Sequence, residues 1–405
     1  MEGVRLIKVS ELQTQTEFKT NNLQLSDFVQ GEVGNCGVLA SLAALSQRTE
    51  FSTDIAPVID DLNGCRRLHF KMYYEGEPIT VTIDDALPID KNNSLVYARS
   101  LRNDSLFLAS YFEKVFVKQA CYNTYKWSRS AGSHFVFLSF SNNMTGYRAY
   151  DVDESKQTVI DYLGYEVDNK SSVVIGIVPA LSDDKPENVD SEGHAYVVTD
   201  YSTEQKAVKL YNPTCILESI VSKIKLPPSL TTNADPNKGE FWISVDKLEK
   251  RELTISSLYS ENMYKSVFQF KKKIKPSDFD EDNFISLDVC KFELESASTF
   301  LINLFSYTHE LDWYDFVVRT DDDERAVVEL NFELPNNLET PWGEYSKKGE
   351  LKTQTNQRFK LQPNNYTFSL EVSPTCENVI DEEVSILMRI GSISECTFEE
   401  LNCKN

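Results

Sequence analysis

The stretch GNCGVLASLAAL, from Gly34 to Leu45, decides how the first half of this sequence is expected to fold. After the Gly-Asn pair it is rich in good helix formers and apolar on most sides, which predicts a buried helix that begins at Cys36. A helix N-terminus favours the thiolate form of a cysteine, and the thiolate is the nucleophile. Cys36 is therefore a candidate nucleophile, although a buried cysteine at a helix start is more often a small core residue.

Periodic segments elsewhere predict the elements around this helix. Residues 106–122 repeat apolar side chains at helical spacing and predict an amphipathic helix. Residues 68–74 and 79–83 alternate as strands do, and the polar residues 75–78 between them predict the turn of a hairpin. Short β-branched segments predict that the back half of this region is mostly sheet; they are residues 173–178, 195–199 and 208–211.

The character of the sequence changes after about residue 260. Segments 315–320, 326–334, 366–372 and 384–390 predict strands without convincing helices between them. A chain of 405 residues exceeds what one hydrophobic core usually serves, so two domains are expected, divided near this position. Repeated short strands with polar turns predict an all-β sandwich for the second domain.

Composition argues against several classes of protein. The chain carries 41 Lys and Arg against 63 Asp and Glu, a formal charge of −22, so the phosphate backbone of a nucleic acid would be repelled. The N-terminus lacks the apolar core of a signal peptide, and the apolar runs are too short to span a bilayer. These features predict a cytoplasmic protein without an integral membrane segment. The eight cysteines lack zinc-ligand spacing, so a structural zinc is not expected.

Three further residues have the types and positions that acyl transfer requires. His194 follows Gly193 and precedes a predicted strand, which places an imidazole at the mouth of a sheet. Asn212 follows the next strand, so its amide could hold one tautomer of that ring. Gln30 lies six residues before Cys36, where its amide could face the oxyanion of a tetrahedral intermediate.

Each of these residues also has an ordinary structural interpretation. His194 could be a hydrogen-bonded core histidine, and Asn212 before Pro213 is common turn chemistry. Their value as candidates lies in their occurrence together and in this order along the chain.

Several segments resemble the protease core of the calpains. Residues 27–36, DFVQGEVGNC, are similar to the segment that carries the nucleophile in that family. Residues 193–196 and 212–213 are similar to the segments that carry its His and Asn. Further matches are Ile83 to Pro88, the helix with Glu113 and Lys114, Gly239 to Ser244 and, past residue 260, Gln357 to Leu361.

This resemblance implies an α+β fold and a defined chemistry. It implies a two-lobed papain-like protease core over residues 1–260, with a helical lobe at about 1–135 and a sheet lobe at about 136–260. An antiparallel calpain-type β-sandwich would follow at 261–405. The resemblance also implies a cysteine endopeptidase that cleaves protein substrates, with Cys36, His194, Asn212 and Gln30 as its catalytic residues.

The sequence departs from the calpain pattern close to these residues. Gly37 replaces the Trp that follows the nucleophile in the family, and Thr214-Cys215 replaces the Trp-Gly that follows Asn-Pro. The second Trp shields the hydrogen bond between His and Asn, and such a bond is worth less when it is exposed to water. The sequence contains no EF-hand calcium loop, so the resemblance is to an atypical calpain.

Calcium is the cofactor that the resemblance implies, and its ligands match only in part. Asp27 matches one site, where Asn142 stands in place of a Glu. At the second site two acidic residues match, but lysines stand where Asp is expected, and a cation beside ammonium groups is unfavourable. We therefore expect calcium dependence weaker than the family norm, or none. The matching residues of the second site are Glu218 and Glu240, and the lysines are Lys225 and Lys238.

Two charged segments lie outside the predicted core. Lys271 to Lys275 could make a peripheral contact with an anionic membrane, or could form a solvated strand edge that lysines protect. Asp321 to Glu324 could bind calcium or basic residues, or could be a polar turn.

The leading hypothesis from the sequence is an intracellular cysteine endopeptidase. The alternative, from a different class, is a catalytically inactive calpain homologue that acts as a binding or regulatory protein. The loss of both Trp residues would permit this alternative. The sequence does not identify the substrate.

Overall fold

The computed structural model describes most of the chain. The chain divides into two compact units, Met1–Ser260 and Glu261–Asn405. The described residues are 4–9, 23–48, 51, 57–62, 65–102, 107–120, 125, 128, 131–150, 156–178, 193–215, 239–248, 252–260, 262–279, 285–306, 313–320, 353–373 and 384–401.

The described part of the first unit contains four α-helices: α1 (Cys36–Ser46), α2 (Leu108–Gln119), α3 (Ser133–Phe140) and α4 (Lys156–Asp168). Helix α1 begins at Cys36, which confirms the prediction, and its residues from Val38 to Ser46 are all buried. Its small and aliphatic side chains allow neighbours to pack closely on every side. The predicted amphipathic helix is confirmed as α2, whose buried face includes Phe112 and Phe116.

Eleven strands lie in the described part of the first unit: β1 (Arg5–Lys8), β2 (Val58–Leu62), β3 (Cys65–Tyr74), β4 (Glu77–Asp84), β5 (Ala86–Ile89), β6 (Thr145–Tyr150), β7 (Ser172–Val178), β8 (His194–Ser202), β9 (Ala207–Tyr211), β10 (Glu240–Ser244) and β11 (Glu252–Leu258). Strands β3 and β4 form the predicted hairpin, but its turn is shorter than residues 75–78. Only Glu75 and Gly76 lie between the strands, and both have positive φ, at 49° and 77°. A two-residue turn of this kind matches the twist of the paired strands, so Glu77 and Pro78 belong to β4.

A six-stranded antiparallel sheet in the order β10-β9-β8-β7-β11-β6 forms the centre of the first unit. Neighbouring side chains of a strand point to opposite faces of the sheet. Val174 of β7 therefore lies in one hydrophobic core, and Val173 and Ile175 lie in a second one. Helix α1 packs against β7 and β8 within the first core, and α4 packs against the same strands within the second. Strand β8 begins at His194, and β9 ends one residue before Asn212.

The sequence does not predict α3, α4 or β11. The strands expected at 173–178, 195–199 and 208–211 are confirmed as β7, β8 and β9. The expectation that the back half of this region is mostly sheet is confirmed, because six strands lie among its described residues beside α4, a helix of 13 residues. None of the helices in the described ranges combines the length and the apolar character that crossing a membrane requires.

The described part of the second unit consists of two four-stranded antiparallel sheets. Its strands are β12 (Ser266–Ile274), β13 (Ile285–Leu294), β14 (Ser298–Ser306), β15 (Trp313–Thr320), β16 (Thr353–Leu361), β17 (Asn364–Ser373), β18 (Val384–Ser392) and β19 (Phe398–Glu400). The sheet orders are β12-β18-β14-β16 and β15-β17-β13-β19, and residues of both sheets share one hydrophobic cluster that includes Phe292, Phe300 and Phe368. The described part of the chain is therefore α+β.

Predictions for the second unit have different outcomes. The strands at 315–320, 366–372 and 384–390 are confirmed as β15, β17 and β18. The predicted strand 326–334 and the acidic segment 321–324 lie outside the described residues. Strand β12 is the edge of its sheet and exposes Lys271 and Lys273, which favours the solvated-edge interpretation of the lysine segment.

Candidate active site

Cys36 is the first residue of α1, and its side chain is only partly exposed. The residue before it, Asn35, is fully buried and does not cap the helix with its side chain. Its amide donates instead to the Glu113 carboxylate over 2.7 Å and to the Ser128 hydroxyl over 3.2 Å. These bonds fix the start of the helix, where the N–H groups of the first turn favour negative charge on the thiol.

The Cys36 thiol, the His194 ring and the Asn212 amide form one line of contacts. The thiol is hydrogen-bonded to the His194 ring. On its other side, Nε2 of His194 donates to Oδ1 of Asn212 over 2.8 Å. Since Nε2 is engaged in this way, Nδ1 is the nitrogen left for the sulfur. Three of the four candidate residues are thus in direct contact.

The surroundings of Cys36 act on its pKa in opposite directions. Burial raises the pKa of the thiol because it removes water from the charged form. The hydrogen bond and positive charge of His194, together with backbone groups of Ala195 and Gly37, lower that pKa. The lowering effects prevail, so the pKa of Cys36 lies below its ordinary value. A thiol of this kind is more often a nucleophilic thiolate at neutral pH.

Gln30, the fourth candidate, is joined to the site through its backbone. Its N–H donates to the carbonyl of Pro213 over 2.8 Å, in the turn that carries Asn212. The Tyr211 hydroxyl donates to the carbonyl of Phe28 over 3.3 Å. These two bonds tie the segment before α1 to the turn after β9. The side-chain Oε1 of Gln30 is buried and has no hydrogen-bond partner among the residues that the structure describes.

The hydrogen bond between His194 and Asn212 is shielded although the family Trp is absent. The two residues are 8% and 2% exposed. The ring of Tyr196 packs edge-on against the His194 ring, with the ring centroids 4.7 Å apart. A buried hydrogen bond of this kind keeps the strength that contact with water would reduce.

The other described histidines have structural surroundings. The ring of His69 is hydrogen-bonded to the Thr82 hydroxyl over 2.9 Å. His134 packs against Tyr147, and burial lowers the pKa of His134 to about 4, so it is neutral at physiological pH. His309 lies outside the described residues. Within the described ranges, His194 is the histidine that faces a thiol.

The replacement of the family Trp by Gly37 has a local steric explanation. A Cβ atom on Gly37 would lie 2.5 Å from the carbonyl oxygen of Ala131, which is closer than any side chain tolerates. The backbone of residue 131 therefore fills the space that a side chain at residue 37 would need. The Ser41 hydroxyl also donates to the carbonyl of Gly37 over 2.7 Å.

Sequence reasoning named two residues that support this site without assigning them a role in it. Glu113 is fully buried, and its carboxylate accepts from Asn35 and from the N–H of Ala98 over 3.0 Å. The sequence signal that could have revealed Glu113 is a carboxylate on the apolar face of an amphipathic helix. Thr214 contacts Asn212 directly, but a threonine in a turn carries no signal of its own.

Comparison with known proteins shows the family of this chain. The profile of the calpain family cysteine proteases matches residues 2–218, more than half of the chain and a range that includes all four candidate residues. The chain belongs to the calpain family. The calpain resemblance inferred from the sequence is thereby confirmed.

Individual calpains are similar to this chain at low identity. Human calpain-8 is 25% identical over 301 residues, which cover 65% of this chain and 40% of that protein. Calpain clp-1 of Caenorhabditis elegans is 23% identical over 278 residues, covering 62% and 34%. The calpain-2 catalytic subunit of Bos taurus is 24% identical over 298 residues, covering 65% and 41%. The chain therefore spans less than half the length of these relatives.

Similarity to a solved structure is weak. The VP2 subviral particle of infectious bursal disease virus has a TM-score of 0.20 and 8% identity, covering 64% of this chain and 76% of that chain. This score is too low to support an argument about fold.

The first of the two calcium sites known from calpains does not fit a calcium ion in this chain. Asp27 is 1% exposed, and its carboxylate already accepts hydrogen bonds from four donors. They are Nε (2.8 Å) and Nη2 of Arg102, the Ser100 hydroxyl (2.7 Å) and the N–H of Gln24 (2.9 Å). These donors use the lone pairs that a cation would need, and the guanidinium supplies the positive charge. Asn142, which stands where a Glu ligand is expected, is exposed.

The second calcium site is described only in part. Glu240 forms an ion pair with Lys209 over 2.9 Å. Glu218, Lys225 and Lys238 lie outside the described residues. Within the described ranges, His, Cys, Asp and Glu side chains do not form a cluster of three or more that could hold a metal ion.

Proposed function

We propose that this calpain-family chain is a cysteine endopeptidase with Cys36 as nucleophile and His194 as general base and acid. Asn212 orients the imidazole, and Gln30 donates to the oxyanion. The observation that carries the proposal is the unbroken contact from the Cys36 thiol through His194 to Asn212 at the N-terminus of a buried helix.

The first half of the reaction forms a thioester. Nδ1 of His194 takes the proton of the Cys36 thiol, and the sulfur attacks the carbonyl carbon of the peptide bond. Negative charge moves to the carbonyl oxygen, where the Cys36 backbone N–H and the amide of Gln30 stabilise it. As the C–N bond breaks, His194 returns the proton to the leaving amine. The first product thus carries a new N-terminus.

The second half of the reaction regenerates the enzyme. His194, now neutral, removes a proton from water, and the resulting hydroxide attacks the thioester carbonyl. The C–S bond breaks, the acid product leaves, and the sulfur again shares a proton with the imidazole. Asn212 accepts from Nε2 throughout, which keeps Nδ1 directed toward the sulfur and stabilises the imidazolium.

We also propose the finer architecture that the family implies. The first unit would be a papain-like core, with Cys36 on a helical lobe and His194 and Asn212 on a sheet lobe. The second unit would be a calpain-type β-sandwich, which its two four-stranded antiparallel sheets and shared hydrophobic cluster support. Cytoplasmic location and peripheral contact of Lys271 to Lys275 with membranes stay predictions.

The alternative is an inactive homologue that binds partners. Glycine and threonine at the two family Trp positions favour it, because those side chains differ from the calpain pattern beside the nucleophile and beside Asn212. It predicts a folded chain that lacks turnover although its thiol and imidazole are in contact.

Hydrolysis of casein by the purified chain separates these functions. We expect the wild type to release peptides with new N-termini and Cys36→Ala to release none, because the variant has no nucleophile. Since the Asp27 site does not fit calcium, we also expect at least half of the activity to remain when a chelator replaces added calcium. The measurement is the rate of peptide release with calcium and with chelator.

Three results would count against this proposal. A well-folded wild type that releases no peptides in either condition favours the inactive homologue. Equal rates for the wild type and Cys36→Ala would exclude Cys36 as the nucleophile. Activity that appears only with calcium would contradict the interpretation of the Asp27 site.

A further inference from the structure

Oδ1 of Asn212 accepts three hydrogen bonds, and only one of them comes from His194. The backbone N–H of Thr214 donates to it over 3.0 Å, and the Thr214 hydroxyl donates to it over 2.8 Å. Nε2 of His194 donates over 2.8 Å. Thr214 therefore supplies two of the three donors at the oxygen that holds the imidazole.

We propose that Thr214 is a positioning residue that holds the Asn212 carboxamide with its oxygen toward His194. This inference rests on the proposed function and assigns a role to a position where calpains have Trp. An asparagine side chain can present either its oxygen or its NH₂ group to a neighbour. Only the oxygen can accept from Nε2 of His194, so a rotated amide would set a donor against a donor.

The hydrogen-bond partners of the amide determine which orientation is stable. With the amide rotated, the NH₂ group would face the N–H of Thr214, which also can only donate. The Thr214 hydroxyl can donate or accept, so the backbone N–H selects the orientation, and the hydroxyl adds a hydrogen bond that holds the oxygen in place. Asn212 is 2% exposed, so water has little access to replace a lost partner.

The turn around Asn212 is fixed independently of the Thr214 hydroxyl. The N–H of Asn212 donates to the carbonyl of Gly239 over 2.9 Å, and the N–H of Cys215 donates to the carbonyl of Asn212 over 3.0 Å. The N–H of Gln30 donates to Pro213 in the same turn. Removal of the hydroxyl should therefore leave the turn in place and act on the amide alone.

Thr214 and Tyr196 protect the hydrogen bond between His194 and Asn212 in a different way from the Trp that calpains have at position 214. A Trp side chain would cover the hydrogen bond between His194 and Asn212 from outside. Thr214 instead restrains the acceptor of that bond, while Tyr196 covers the imidazole. The effect of the hydroxyl should be moderate, because the backbone N–H of residue 214 remains in every variant.

The test compares Thr214→Val, which keeps the shape and removes the hydroxyl, with Thr214→Ser, which keeps the hydroxyl. For casein or a peptide substrate we expect Thr214→Val to lower kcat roughly three- to tenfold with KM nearly unchanged, as the loss of one hydrogen bond would. Thr214→Ser should stay within about twofold of the wild type. Thr199→Val is the matched control, because its hydroxyl donates to the carbonyl of Lys209 instead of the site.

A second readout does not depend on catalysis. The chain has four histidines, so a spectrum of protein labelled with ¹⁵N-histidine is simple to assign. The wild type should show an Nε2–H proton of His194 that exchanges slowly with water. Thr214→Val should speed this exchange roughly three- to tenfold, as for kcat, and Thr214→Ser should restore the slow exchange of the wild type. Thermal unfolding of each variant shows that it is folded.

The outcomes separate the two proposals. If the wild type hydrolyses substrate and Thr214→Val matches it in kcat and in His194 exchange, the positioning role is wrong and the proposed function stands. If Thr214→Val lowers the thermal stability but changes neither kcat nor His194 exchange, Thr214 only stabilises the turn, and the positioning role is likewise wrong. If the wild type has no peptidase activity, the proposed function fails, and His194 exchange alone decides the role of Thr214.

Discussion

Replacement of His194 by alanine is expected to lower kcat for peptide hydrolysis roughly 10³- to 10⁴-fold, the contribution of a well-placed general acid and base. The imidazole has two tasks in the proposed reaction: it removes the thiol proton, and it protonates the leaving amine. Its removal also cancels two of the four effects that lower the pKa of Cys36, so the pKa of that thiol should rise. Both changes reduce the rate of acylation, and steady-state hydrolysis of a peptide substrate measures it.

A matched histidine variant gives the control for this prediction. His69 lies on β3, where its ring is hydrogen-bonded to the Thr82 hydroxyl. His69→Ala should keep kcat within about twofold of the wild type, since the ring of this half-buried residue bonds to Thr82 and not to the site. Equal loss in the two variants would point to general destabilisation, and an active His194→Ala would remove the imidazole from the mechanism.

Glu113→Gln is expected to remove a pH-dependent contribution to the free energy of unfolding. This contribution is on the order of 3 kcal/mol. Burial raises the pKa of Glu113 to about 7 from its ordinary 4.5, although hydrogen bonds from Ala98 and Asn35 act in the opposite direction. A carboxyl group whose pKa is higher in the folded state binds its proton more tightly there. It therefore stabilises the folded protein fully below the unfolded pKa, and this contribution is lost as the pH rises to about 7.

The sign of this effect can be measured by urea unfolding from pH 4.5 to pH 8. Glutamine has no proton to lose, so the free energy of unfolding of the wild type should fall relative to the variant across this range. Any constant offset from the changed hydrogen bond to Asn35 leaves the slope unaffected. Glu77→Gln, at an exposed position of β4, gives the baseline. Parallel curves for the wild type and Glu113→Gln would contradict the raised pKa.

The sequence was most informative where a local pattern is sufficient. Helix α1 could be predicted because Leu39 to Leu45, which follow closely after Gly34 and Asn35, are mostly good helix formers. Strand β8 could be predicted from its β-branched and apolar residues after Gly193. The candidate residues Cys36 and His194 lie at the beginnings of these two elements, so their positions followed from the element boundaries.

Helix α4 shows where local propensity fails. Its sequence contains the β-branched run Thr158, Val159 and Ile160 and also Gly164, all of which lower helix propensity. Packing decides its structure, because Val159, Ile160 and Leu163 are buried against the central sheet. A Cβ on Gly164 would lie 2.6 Å from the ring of Tyr201, so this glycine serves a close contact that the sequence does not reveal.

The supporting residues of the site escaped prediction for a related reason. Asn35 and Glu113 are 78 residues apart, and their hydrogen bond depends on how α2 packs beside the start of α1. The pairing of Asp27 with Arg102 spans 75 residues and changes the interpretation of a calcium ligand. Contacts of this kind depend on the tertiary fold, and the spacing of residues along the sequence does not predict them.

The most direct test of the central claim is the pH dependence of Cys36 alkylation by iodoacetamide. Mass spectrometry of the Cys36 peptide separates this thiol from the other cysteines of the chain. If the thiol is paired with His194, the rise of the wild-type rate should lie at lower pH than that of an ordinary thiol, whereas the rise in His194→Ala should lie at higher pH than in the wild type. Identical profiles in both proteins, each following an ordinary thiol, would show that the sulfur and the imidazole do not act together.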